Sequence, residues 1–212
     1  MAKTSNTTKK STTEKSGTTA RKPRTTAQKA GTAMEQPRML DGAMQSALQE
    51  FFVTALQEIY WSERNLVNVL NSMAGAATTE QLRGSFQTHR EQTQTHVSRL
   101  EEVFNMLGME PGEKHCVGLQ GLFDEGWKVI DETEPGSAQR DVALIIAAQK
   151  VEHYEMACYG SMVSLARTLN RRDISELLIE TLTEEKETDA LLTSIAETSI
   201  NYQASREMVS DM

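Results

Sequence analysis

Four long stretches of the chain share one pattern: apolar positions three or four residues apart, interrupted near the middle by polar ones. Phe52, Leu56, Ile59, Leu66, Leu70 and Met73 predict a first helix from about Met44 to Met73, with Glu63 where an apolar residue is due. Leu82, Phe86, Leu100, Val103 and Leu107 predict a second from about Glu80 to Leu107, its centre taken by His89, Thr93 and His96. A third, from about Ala138 to Leu169, has Ile145, Ala148, Tyr159 and Met162 on one face, with Glu152 and Glu155 between them. A fourth, from about Asp173 to Thr198, carries Ile174, Leu178, Leu182, Leu192 and Ala196, with Glu185 and Asp189 in the middle.

The breaks between these stretches have the right chemistry. GAATT after Met73 ends the first helix, and Thr78 or Thr79 can cap the second. Gly108, with Pro111 just beyond, stops the second. Ser137 is positioned to cap the third, and Asn170 to end it in a left-handed conformation. Between the second and third lies a long connection, residues 109–136, in which Leu119, Leu122, Phe123, Trp127 and Ile130 predict a short amphipathic helix. Two tight hairpins joined by one long crossover is the connectivity of ferritin-like bundles. The reading is therefore all-α: a ferritin-like antiparallel four-helix bundle in residues 41–200, preceded by a tail (1–40) and followed by a frayed C-terminus (201–212). Phe86, His89 and Thr93 have the spacing of Leu182, Glu185 and Asp189, which suggests that the second and fourth helices hold equivalent places in two related hairpins.

Composition refines this picture. Aromatics make up 5% of the chain and there are only 4 prolines, which favours helix over sheet. Cys116 and Cys158 form no disulfide framework, so a reducing, cytoplasmic setting is expected. The longest apolar run, Val142 to Ala148, is too short to span a bilayer, and the N-terminus lacks the apolar core of a secretory signal. The net charge of −8 divides unevenly, into +7 for residues 1–38 and −15 for the remainder. The tail is Thr, Lys, Ser, Ala and Gly with almost nothing to bury, so it is expected to be disordered. Its Lys9, Lys10, Lys15, Arg21, Lys22, Arg24 and Lys29 are candidates for nucleic-acid phosphates. With no aromatic residue to stack on bases, such contact would be weak and blind to sequence.

The four polar interruptions fall at similar heights. In a bundle, Glu63, His89, Glu152, Glu155, Glu185 and Asp189 can converge on one interior layer. Five buried carboxylates without cations would repel and have to protonate. Two iron or manganese ions would resolve that, and carboxylate with imidazole suits those metals. The usual Glu-x-x-His pairs are absent: the residues three before each histidine are Phe86, Thr93, Gly112 and Lys150. The expected site is therefore an altered one, which leaves weak, mononuclear and vestigial forms open. Taken singly, His96 reads as partly exposed or bonded to a neighbouring Thr, and His153 as a surface residue. Tyr60, Tyr154 and Tyr159 read as packing residues, and Cys158 as buried and inert.

Several segments, in order, resemble a known family: EIYWSERNL (58–66), FQTHREQTQTHVSRLEEVF (86–104), KHCVGLQGLFDEG (114–126), AAQKVEHYEMACYG (147–160) and LTEEKETDALLTSIA (182–196). Over residues of about 48–198 the chain resembles the YciE/YciF-type bacterial stress proteins, a ferritin-like group. The resemblance implies a ferritin-like bundle, a homodimer and a two-metal centre with ligands at Glu63, His89, Glu152, Glu155, Glu185 and Asp189. Three functions are consistent with these observations. The first is a stress-associated protein whose iron or manganese handles oxidants, with Tyr60, Tyr154 or Tyr159 passing electrons or protons. The second is a non-catalytic interaction protein whose polar layer sets bundle register. The third is a nucleoid-associated protein that binds DNA through its tail.

Overall fold

A computed structural model describes residues 46–208; the basic tail and its seven candidate phosphate contacts lie outside the described residues. Among those described, the structure is entirely helical and ferritin-like. Helices α1 (Ala47–Ala76) and α2 (Glu80–Met106) form one hairpin, and α4 (Ala138–Thr168) and α5 (Arg172–Ile195) the other. The crossover between them carries α3 (Val117–Glu132), which packs on α4 and α1. The core is built from the periodic positions: Leu56, Leu66, Leu82, Leu100, Leu144 and Ile174 are all buried.

The caps are those the residue types favour. Ser46 and Gln49 form a reciprocal capping box at the start of α1. Thr79 caps α2 and Ser137 caps α4, each accepting a hydrogen bond from a first-turn N–H. Asn170 ends the α4 hairpin turn at φ 60°, and Gly108 closes α2 at φ 70°. A longer-range tie joins the hairpins. The buried carboxylate of Asp141 accepts from the backbone N–H groups of Thr78 at 2.6 Å and Thr79 at 2.9 Å, so α4 holds the α1–α2 turn.

Two boundaries differ from the sequence reading. α1 runs through GA of GAATT as far as Ala76, because Ala is a strong helix former and Ala74 and Ala77 pack into the core. At the other end the chain does not fray at residue 201. One π-helical turn (Ala196–Ile200) buries Ile200 and leads into α6 (Asn201–Ala204). Beyond it, the Glu207 carboxylate accepts from the backbone N–H groups of Ala138 and Gln139, an anion at the positive end of α4.

Candidate metal centre

Six side chains from four helices meet at mid-height in the bundle. α1 supplies Glu63, α2 supplies His89 and His96, α4 supplies Glu152 and Glu155, and α5 supplies Glu185. Each is at most 2% exposed. Helical periodicity puts them there: Glu152 and Glu155 lie three apart on one face of α4, and His89 and His96 lie two turns apart on one face of α2.

The six divide into two donor sets, and Glu185 belongs to both. One is His89, Glu152, Glu155 and Glu185; the other is Glu63, His96 and Glu185; within each set one atom per residue lies within 4.8 Å of every other. In the first, His89 Nε2 is 3.3 Å from Glu152 Oε1 and 3.7 Å from Glu185 Oε2. In the second, His96 Nδ1 is 2.9 Å from Glu185 Oε1 and 3.5 Å from Glu63 Oε2. A carboxylate shared in this way could serve two ions at once.

These atoms approach without satisfying one another. Nine buried side-chain polar atoms among the described residues have no aligned hydrogen bond, and eight of them are here: Glu63 Oε2, His89 Nε2, His96 Nδ1, Glu152 Oε2 and both oxygens of Glu155 and of Glu185. Leaving such groups unpaired in a protein interior costs about 1–3 kcal/mol each, more when charged. The outward-facing atoms, by contrast, are supported. His96 Nε2 lies 2.9 Å from Glu184 Oε2, and Arg99 holds that carboxylate with both terminal nitrogens, Nη2 at 2.9 Å from Oε1. His89 Nδ1 is 3.3 Å from the Thr188 hydroxyl. Tyr159 donates its hydroxyl to Glu63 Oε1. Metal-binding imidazoles and carboxylates are usually oriented by outer partners of this kind.

Without metal ions the layer is electrostatically tense. Burial, reinforced by the neighbouring carboxylates, raises the Glu155 carboxyl well above its usual range. Burial also pushes Glu152 up to about 8 and raises Glu185. For His89, burial outweighs the attraction of Glu185 and lowers its pKa, which favours the neutral ring a metal needs. For His96, burial acts the same way, but Glu63 and Glu185 overcome it and raise the imidazole to about 11. In the metal-free layer His96 is thus the internal cation.

Five of the six ligand candidates read from the sequence come together here. Asp189 belongs to neither donor set. It lies one turn beyond Glu185, where Gln149 Nε2 approaches its Oδ1 at 3.2 Å and the exposed His153 at 3.4 Å. His96 takes the place that Asp189 was expected to fill. Its ring is fully buried and lies against Glu184, where a partly exposed or Thr-bonded ring was expected. The signal was present, since His96 falls on the α2 seam between Thr93 and Leu100. Glu184 and Arg99 carried no signal, because their role depends on the α2–α5 pairing. Of these three tyrosines, Tyr159 touches Glu63 of the donor layer; Tyr60 bonds Glu101 at 2.9 Å, and Tyr154 lies 3.3 Å from Cys116 Sγ. Cys158 is half-buried, and burial pushes its thiol up to about 11.

Residues 47–205 match the family model described as a domain of unknown function, DUF892. Protein YciF of Escherichia coli strain K12 is 39% identical over 158 residues, which cover 74% of this chain and 95% of YciF. The crystal structure of the E. coli stress protein YciF superposes with a TM-score of 0.70 at 37% identity, covering 74% of this chain and 99% of that one. YcfI of Rhodopseudomonas palustris superposes with a TM-score of 0.67 at 29% identity, covering 73% and 98%. No helix among the described residues is long and apolar enough to cross a membrane.

Proposed function

The chain belongs to the DUF892 family, and we propose that it is a stress-associated protein that holds two iron or manganese ions in its central layer and uses them on small oxidants. The observation that carries this reading is the set of eight buried polar atoms that face one another inside the bundle without an aligned hydrogen bond. Their donor types, carboxylate oxygen and imidazole nitrogen without thiolate, suit iron and manganese. His89, Glu152, Glu155 and Glu185 would hold one ion and Glu63, His96 and Glu185 the other, with Glu185 common to both donor sets.

A pair of redox-active ions supplies electron transfer when bound. The chain's own residues do the rest. Glu184 and Arg99 fix the ring of His96 so that Nδ1 faces inward. Tyr159 fixes Glu63 and places a phenol against a ligand, the position from which an electron or a proton can be passed. The apolar seams above and below, Leu56, Leu66, Leu82 and Leu100 among them, exclude water from the layer.

Elemental analysis of the full chain after loading with Fe2+ or Mn2+ and desalting tests this reading. Two metal ions per chain are expected. Protein that stays folded and metal-free under both conditions overturns it.

A further inference from the structure

The ligands are closed to solvent, yet a cavity comes within one helical turn of them. It lies between α1 and α4, beside the start of α3, and encloses about 350 Å³. That falls within the roughly 300–1,000 Å³ typical of small-molecule sites. Its walls include Ala55, Ala157 and Leu165, and its base includes the buried Ile59 and Met162. Ile59 is one turn before Glu63 on α1, and Cys158, also lining the cavity, is one turn after Glu155 on α4. The cavity is therefore lined from the helical turns that adjoin the donor layer.

One side of the cavity is polar and held in place. Tyr154 and Cys116 both line it, with the tyrosine hydroxyl 3.3 Å from the thiol. Gly118, in the first turn of α3, makes room for that tyrosine: a Cβ there would lie 2.6 Å from the Tyr154 hydroxyl oxygen. Glu58, the cavity's carboxylate, is matched by Lys114 Nζ at 2.9 Å. The charges thus cancel, leaving a hydroxyl and thiols opposite an apolar wall.

We propose that this α1–α4 cavity is a binding site for a small neutral molecule with an apolar body and one hydroxyl or hydroperoxyl group, held beside the carboxylate layer with its polar end at Tyr154. Its closeness to the ions rests on the two-metal reading; its capacity to bind does not. A charged ligand finds no unmatched partner there, and a fully apolar one would leave unused the hydrogen-bonding capacity that the Tyr154 hydroxyl keeps beyond its contact with Cys116.

The test uses the metal-free full chain, 13C-labelled at its methionine methyl groups and titrated with 2-phenyl-2-propanol. A saturable shift of the Met162 methyl signal is expected. Ser161→Trp, at the exposed rim, covers the mouth and is expected to weaken binding at least tenfold; Gly118→Ala displaces Tyr154 and is expected to weaken it as well. Circular dichroism of both variants must match the parent. No saturable shift at Met162, or equal affinity in both folded variants, overturns the site. A Met162 shift that follows protein concentration rather than the alcohol identifies a second copy as the occupant, and also overturns it. In Mn2+-loaded protein, enhanced relaxation of the bound alcohol's methyl protons is expected. Binding with no enhancement in protein shown to hold Mn2+ removes the link to the centre. Protein that binds the alcohol but takes up neither Mn2+ nor Fe2+ overturns the metal reading and leaves the cavity site standing.

Discussion

His96 and Glu184 face each other across the α2–α5 seam, with Nε2 of the ring 2.9 Å from Oε2 of the carboxylate. Glu184 is in turn gripped by Arg99, which also lowers the pKa of that carboxyl. The arrangement leaves Nδ1 of His96 aimed at Glu63 and Glu185. Removing such an outer partner typically costs 10–100-fold in metal affinity. Glu184→Ala is therefore expected to weaken the Glu63–His96–Glu185 site by about that factor and leave the other site intact. A titration with Mn2+ should then show one tight and one weakened ion in place of two.

Glu155 separates a metal centre from a purely structural polar layer. Both of its oxygens lack hydrogen bonds, and its carboxyl is held well above its usual range by burial and by Glu63. Glu155→Gln removes a proposed ligand and a source of repulsion together. Metal content after loading is expected to fall, while the metal-free variant unfolds at the same or a higher temperature than the parent. Elemental analysis and calorimetry on the same preparation check both halves.

The metal-free protein is expected to lose stability as pH rises. Burial pushes Glu152 up to about 8, above the 4.5 of an unperturbed carboxyl. Its contribution is thus fully present below about pH 4.5 and lost as pH climbs through 8. His96, raised to about 11, adds a loss that begins above its ordinary 6.5. His89 acts in the opposite sense, since its lowered pKa removes stability as pH falls. Between about pH 7 and pH 9 the first two dominate, and a decline on the order of a few kcal/mol in urea unfolding free energy is expected. Excess Mn2+ should suppress the decline, because ligands must lose protons to bind metal and binding therefore strengthens with pH.

Asp141 is the fold's most consequential buried carboxylate outside the centre. It accepts two backbone N–H groups of the α1–α2 turn, at Thr78 and Thr79. Asp141→Ala leaves both donors without that partner and opens a gap at the α4 side. A loss of about 2–5 kcal/mol is expected from two charge-assisted hydrogen bonds, measured by chemical denaturation. Metal stoichiometry of the protein that remains folded should be unchanged, since the turn lies at the end of the bundle and the donors at its middle.

Much of this molecule was legible along the chain. The 3.6-residue period, broken once near the middle of each long segment, located four helices and the height of the polar layer. Ser137, Thr79, Asn170 and Gly108 marked ends through local backbone chemistry that needs no partner. Glu63, His89, Glu152, Glu155 and Glu185 could be named because each replaces an apolar residue on a seam, and a seam position is buried in any bundle. What a one-dimensional pattern cannot hold is the rotation and height of one helix against another. That relation turned Asp189 toward Gln149 and His153, brought His96 inward in its place, set Glu184 and Arg99 behind it, and made Glu185 common to both donor sets. The same relation left a cavity between α1 and α4, where Gly118 of a third helix clears space for Tyr154. Periodicity selects the face a residue occupies; side-chain packing between helices selects the atoms it meets.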